Sequence, residues 1–509
     1  MRIDRFLADS ARRSPDKVAL VCGDRRLSYA QLDAAAARLA ATLAAGGAGR
    51  GERVVIFAEN GWEVAVAIFA AAKAGAVFSV VNPTTKADKL GFILRNCRPA
   101  GLVTQGRLLP VAAEALAQAP PVACRIVAAA TAPEGWTTLD AALSGGAPPP
   151  PFPGIDLDLA MLVYTSGSTG FPKGVMMTHA NVDAAAGSII AYLGVTADDV
   201  ILSALPLAFD YGLYQLLMSV RCGATLVLET SFAFPQAVLA KLTQERATCF
   251  PLVPTIAALL LQMRDLVPGA FPHLRILTNT AAALPPAHIA RLQALFPATR
   301  IFSMYGLTEC KRCTWLPPEE LARRPASVGI AIPGTEAWVV RNDGSRAAPE
   351  EVGELVIRGP HVMQGYWEDA AATARALHPG SYPWERVLHT GDLFRADADG
   401  FLYFVGRKDD IIKTRGEKVS PKEVENVLYA LHGVREAVVI GVPDPVQGMA
   451  LKAVLAMEPG TVLTERDVIG HCAARLEDFM VPRLVEFRAE LPKTDTGKIS
   501  RRLAAAGEA

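Results

Sequence analysis

Residues 27–81, LSYAQLDAAAARLAATLAAGGAGRGERVVIFAENGWEVAVAIFAAAKAGAVFSVV, switch repeatedly between two hydrophobic periods. A helix-period segment gives way to a glycine-rich turn, the β-rich run RVVIFA, a second helical segment and a second strand. A chain that alternates in this way must bury helices against a sheet, so it predicts a layered α/β fold. The chain has 509 residues, 51% of them hydrophobic and 20% charged, enough for more than one cored domain and unlike a disordered or fibrous protein.

Lys plus Arg and Asp plus Glu are 51 each, so net charge gives no grip on nucleic acid or an anionic membrane. The N-terminal MRIDRFLADSARRSPD has acids in both halves and no apolar leader core, and the longest apolar run, Val64 to Ala72, is far too short to cross a bilayer. The expectation is a cytoplasmic protein with no membrane span and no nucleic-acid partner. Eight cysteines are too sparse for a disulfide framework. Only Cys310 and Cys313, in CKRC, have the spacing of a redox or metal pair, and with no second pair nearby ordinary reduced thiols are expected.

APPPPFPGI, from Ala147 to Ile155, cannot be helix or central strand and reads as a stiff connector. After it and the β-compatible LAMLVYT comes YTSGSTGFPKGV, Tyr164 to Val175. Glycines let backbone N–H groups close on an anion, hydroxyls add donors, and lysine adds a mobile positive charge, which together make a phosphate cradle. It is not the Walker loop: Pro172 stands where that pattern needs its second glycine, and Lys173 is followed by Gly174 rather than Ser or Thr.

Late in the chain, FVGRKDDIIKTRGEKVSPKEVENVLYALHG breaks the apolar rhythm with glycine and alternating charge. Ser420, Pro421 and Glu423 there form a helix start with a capping box and proline in its first turn. The strand-like REAVVIGV and ALKAVLAM, an amphipathic stretch from Glu465 to Leu476, RLVEFRAEL and the loop PKTDTGKIS follow. The expected organisation is a domain of residues 1–406, a hinge at 407–409 and a small α+β domain at 410–509.

The cradle resembles the signature loop of AMP-forming, adenylate-forming enzymes, the superfamily of acyl-CoA synthetases, stand-alone and modular adenylation domains and firefly luciferase. YGLTE (Tyr305–Glu309), TGD (Thr390–Asp392), GRKDDIIKTRGEKVSPKEVE (Gly406–Glu425) and PKTDTGK (Pro492–Lys498) follow in the family's order, so the resemblance runs essentially end to end. It implies a large N-terminal layered α/β domain with mixed sheets and a small mobile α+β C-terminal domain.

The resemblance also implies an activity. A carboxylate attacks the α-phosphorus of ATP, pyrophosphate leaves, and the acyl adenylate then passes its acyl group to a thiol. Thr165, Ser166, Gly167, Ser168, Thr169, Gly170 and Lys173 would hold the phosphates, Tyr305 would stack on adenine, Thr308 would contact the α-phosphate, and Glu309 would help hold Mg2+. Asp392, assisted by Arg407, would bind the ribose, and Lys498 would reach carboxylate and α-phosphate together. Asp409 would be the hinge, and Lys413 and Gly416 would line the thiol tunnel, whose acceptor is coenzyme A or the phosphopantetheine arm of a separate acyl carrier protein. Alternatives are an adenylation enzyme with an amine acceptor, giving an amide, and a non-catalytic nucleotide sensor; the sensor predicts loss of Glu309 or Lys498, and both are present.

The acid is left open by PLAFDYGLYQ. In the family's amino-acid-activating members an aspartate after the same phenylalanine grips the substrate ammonium, which Phe209 and Asp210 match while Gly212 does not. Asp210 also stands at the start of a helical stretch, where an N-cap or another internal partner would explain it equally well. By family position, the segments VPTIAALLLQM and TNTAAALPP, with Thr280 and Ala281, would wall the pocket. A small carboxylic acid, with or without an amine, is the expected substrate.

Overall fold

In the computed structural model, residues 1–506 are described apart from 146–153, 167–171, 264, 281–283, 409, 415–416, 445–447, 477 and 495–496. Gly167, Ser168, Thr169, Gly170, Ala281, Asp409 and Gly416 therefore lie outside the described residues, and Ser166 and Lys413 are described by backbone alone.

The alternating apolar periods of residues 27–81 become the helix Tyr29–Ala45, the strand Arg53–Phe57, the helix Trp62–Ala74 and the strand Val77–Val81. These strands pair in parallel and sit in an eight-stranded sheet that also carries the antiparallel hairpin Leu159–Ser166 and Pro172–Thr178. The helix Trp62–Ala74 is buried from Val64 to Ala72, which explains why its sequence shows no polar face.

A nine-stranded sheet lies beside it. Its strands Val200–Ser203, Cys249–Leu252, Ile276–Asn279 and Arg300–Tyr305 run parallel as neighbours. In open α/β sheets ligands bind outside the carboxyl ends of such strands. Here those ends lead into the segments containing Phe209 and Asp210, Thr280, and Tyr305 to Glu309. A third sheet holds the strands Arg386–Ala396 and Leu402–Arg407, paired so that Asp392 stands opposite Arg407.

The apolar side chains of these parts form a core that reaches Leu402 in sequence, whereas Ile412 to Ala504 contribute to two further clusters of their own. The helix Pro421–Tyr429 starts as expected: Ser420 Oγ accepts from the Glu423 N–H, with proline in the first turn. The amphipathic stretch expected to reach Leu476 is helical only over Glu465–Ala473. All eight cysteines are free thiols, Cys310 and Cys313 included. Among the described residues no helix is long and apolar enough to cross a membrane.

Candidate active site

The loop from Tyr305 to Cys313 is folded back on itself. Cys313 N–H donates to Tyr305 O at 2.9 Å, and Lys311 N–H to Leu307 O at 2.7 Å. A Cβ on Gly306 would lie 1.9 Å from the Lys311 carbonyl oxygen, so only glycine fits there. Lys311 takes a left-handed backbone, φ 66°, which is costly for a side-chain-bearing residue and persists where its surroundings hold it.

At one end of this loop the Tyr305 hydroxyl donates to Asp392 Oδ2 at 2.6 Å, and Arg407 Nε donates to Asp392 Oδ1 at 2.7 Å. The strand pairing brings the arginine to the carboxylate, and Phe394 packs edge-on against the tyrosine ring at 4.9 Å. Burial, then the Asp392 charge, pushes the Tyr305 phenol well above its ordinary range, so the tyrosine remains a hydrogen-bond donor. Tyr305, given a role of its own in the sequence, thus joins Asp392 and Arg407 in one chain of contacts.

Glu309 accepts a 2.7 Å hydrogen bond from the hydroxyl of Tyr366, a residue that sequence reasoning missed. Tyr366 is delivered by the short strand Gly365–Tyr366, which pairs with Pro172–Thr178, and Lys173 Nζ stands 5.3 Å from its ring centroid. In the hairpin, Thr165 and Lys173 are directly paired. Thr165, Lys173, Glu309 and Arg407 line one cleft of about 340 Å³. Glu354 and His389 line it too; His389 first, then the Gly391 N–H and Lys408, hold the Glu354 carboxyl down to about 2 against its burial. Thr308 is half-buried within the same loop.

Lys498 reaches the site from the other apolar unit. The residue as a whole is open to solvent, yet surrounding atoms crowd its ammonium. Loss of hydration, then Arg407, lowers its ammonium below the ordinary lysine range, with Asp392, Asp210 and Glu309 pulling the other way. The glycine before it, Gly497, has φ 75° and would bring a Cβ within 3.8 Å of Thr255 Oγ1.

At the other end of the loop, the helix Asp210–Cys222 has Phe209, not Asp210, at its N-cap position. Asp210 is instead the first helical residue, where a negative charge suits the helix dipole. Its partner is Lys311, whose Nζ donates to Asp210 Oδ1 at 2.8 Å. The lysine side chain is 0% exposed and the aspartate side chain 11%. Arg312 is buried as well and lies 4.6 Å from the ring centroid of Tyr211. Thr280 is buried at the end of its strand, and Phe209 is half-buried.

A lone carboxylate is an ordinary hard ligand for Mg2+, which binds through one or two carboxylates plus substrate phosphates rather than a protein cage. Glu309 fits that role: one of its oxygens is fixed by Tyr366, and it shares the cleft with Thr165 and Lys173.

The model of one family, described as AMP-binding enzyme, matches residues 7–367, and that of the AMP-binding enzyme C-terminal domain matches 423–498. The chain is 30% identical to a long-chain-fatty-acid–CoA ligase of Bacillus subtilis, over 98% of this chain and 93% of that one. It is 31% identical to an L-proline–[L-prolyl-carrier protein] ligase of Pseudomonas fluorescens, over 97% and 96%. Its fold superposes on a benzoate CoA ligase from Burkholderia xenovorans with a TM-score of 0.90, at 28% identity and 99% coverage of both chains.

Proposed function

This chain belongs to the AMP-binding enzyme family, the ATP-dependent, AMP-forming ligases, and from that premise we propose that it converts an amine-free carboxylic acid into a thioester of coenzyme A. One observation carries the choice of acid. The carboxylate that would grip an ammonium, Asp210, is already engaged by the fully buried Lys311 at 2.8 Å, and a second buried cation, Arg312, is its neighbour. Adding a substrate ammonium would make two cations share one carboxylate beside a buried arginine, a costly arrangement in a desolvated site.

The reaction divides into two transfers. In the first, an oxygen of the acid attacks the α-phosphorus, the bond to the β-phosphate oxygen breaks, and pyrophosphate leaves. Lys498 neutralises charge on the carboxylate and the α-phosphate as they approach, Thr165 and Lys173 hold phosphate oxygens, and Thr308 contacts the α-phosphate. Tyr305 packs on the adenine, while Asp392, clamped by Tyr305 and Arg407, accepts from the ribose hydroxyls. Mg2+, held through Glu309, supplies charge neutralisation for the phosphates.

In the second transfer the thiol sulfur attacks the acyl carbon, the bond to AMP breaks, and the thiol proton is released. For it the unit of residues 410–509 turns about 407–409 relative to residues 1–406, bringing Lys413 and Gly416 to the thiol path. The separate apolar clusters on either side of 402–412 support that division.

ATP–pyrophosphate exchange across amino acids and straight-chain, branched and aromatic acids tests the reading. Exchange with amine-free acids, followed by thioester formation on adding coenzyme A, is the expected result. Exchange confined to amino acids would overturn it and make Asp210 an ammonium anchor for a carrier-protein ligase.

A further inference from the structure

The polar groups around Asp210 do not balance. Lys311 is 1% exposed and Arg312 3%, and among the described residues Asp210 is the one carboxylate that either of them pairs with. Lys311 takes that carboxylate. Among the described residues the Arg312 guanidinium has no ion pair, its Nε is buried without a hydrogen-bond partner, and its contact is the face of Tyr211. The hydroxyl of the fully buried Tyr214 lacks a partner too, and both Asp210 and Arg312 act on it electrostatically. Tyr211, by contrast, has its hydroxyl 2.7 Å from Thr278 Oγ1.

Stacking on a ring recovers part of what a cation loses on burial. An unpaired buried charge costs more than that, so the stacking leaves a deficit that a complementary anion would remove. The location says where that anion comes from. Asp210 follows the carboxyl end of a central parallel strand, the side of such a sheet on which ligands bind, Tyr214 lies one helical turn beyond it, and Arg312 sits over Tyr211 of the same turn. An acid bound outside those strand ends can meet Arg312 and Tyr214 with the end that does not react.

We propose that Arg312 and the Tyr214 hydroxyl receive a second carboxylate of the substrate, so that the enzyme's acid is a dicarboxylate converted to its monothioester. This deepens, and rests on, the reading of the chain as a ligase for amine-free acids. The distal carboxylate forms no bond in the reaction; it supplies the missing counter-charge and orients the other end. Arg312 is then the residue that sets specificity, separate from the nucleotide-binding groups.

The test is pyrophosphate exchange with length-matched pairs: succinate and butyrate, glutarate and valerate, adipate and hexanoate, phthalate and benzoate. Wild-type enzyme should favour the diacid of at least one pair by about 30-fold or more in kcat/KM. Arg312→Met should reverse that preference with the KM for ATP unchanged, while Arg312→Lys, which keeps the charge, should retain a preference of several-fold. If Arg312→Met folds poorly, the wild-type and Arg312→Lys ratios decide. Preference for the monoacid in every pair, or a diacid preference unaltered in Arg312→Met, overturns the inference and leaves the ligase reading standing. Exchange with amino acids alone, or with no acid at all, overturns that reading and the inference with it.

Discussion

The two ends of the loop from Tyr305 to Cys313 meet their charges in opposite ways. At the nucleotide end Tyr305, Arg407, Tyr366 and His389 hold the carboxylates Asp392, Glu309 and Glu354 in place. At the acid end the one carboxylate is taken by the buried Lys311, and Arg312 and Tyr214 are left over. The end proposed to hold ATP is internally complete, its carboxylates already held by their neighbours. A site that chooses its acid gains selectivity by leaving groups that only the right ligand satisfies.

That contrast can be broken most forcefully at Lys311. Lys311→Met strands Asp210 as a buried unpaired carboxylate and should destabilise the protein by about 3–5 kcal/mol, read as a fall in Tm. The double variant Lys311→Met/Asp210→Leu should recover most of the loss, and a single variant as stable as wild type would show that the pair is not what holds the loop. Lys498→Ala leaves both ends of the loop intact but should slow adenylate formation about 10²–10³-fold, on the scale of losing one preorganised transition-state donor. The same variant should turn preformed acyl adenylate into thioester at close to the wild-type rate; equal damage to both half-reactions would count against alternation of the two units.

Asp392→Asn tests the completeness of the nucleotide end. It should raise the KM for ATP roughly 10–30-fold, in keeping with about 1.5–2 kcal/mol for a charge-assisted hydrogen bond, and leave the ratio of acid substrates untouched. A shifted acid ratio would mean the ends are not separable.

The smallest effect concerns how Lys498 is brought in. His288 packs edge-on against Tyr429 of the C-terminal unit at 5.5 Å, beside the Arg291–Glu458 ion pair. Burial, then Arg291, lowers its imidazole to about 4, with Lys422 adding and Glu458 opposing. The folded value lies below the ordinary one, so this stabilisation is present above about 6.5 and is lost as pH falls toward 4. Between pH 7 and 5.5 it amounts to about 1 kcal/mol, and His288→Gln should flatten that part of the stability profile by this amount. An unchanged profile would relieve His288 of the role.

Legibility in the sequence followed the same divide. Tyr305, Glu309, Asp392, Arg407 and Lys498 sit in short motifs whose order identifies the fold, and the alternation of residues 27–81 foretold the layered sheets. Asp210 was legible as a charge in need of a partner. Its partner was not, because Lys311 lies 101 residues away and meets it only after the strands have assembled. CKRC drew notice for its two cysteines, while the residues between them carry the polar chemistry. The helix start was misplaced by one residue, since Phe209 takes the N-cap position and Asp210 the first turn. Tyr366 had no local signal; a two-residue strand places it beside Glu309.

The glycine at 306 has a consequence for anyone who wishes to retarget this enzyme. Because its missing side chain lets the Lys311 carbonyl come so close, Tyr305 and Lys311 are brought onto one tight turn of the chain. A library that varies Gly306 disturbs the fold of the whole loop, whereas one that varies the side chains of Arg312 and Tyr214 can move selectivity without disturbing the grip on ATP.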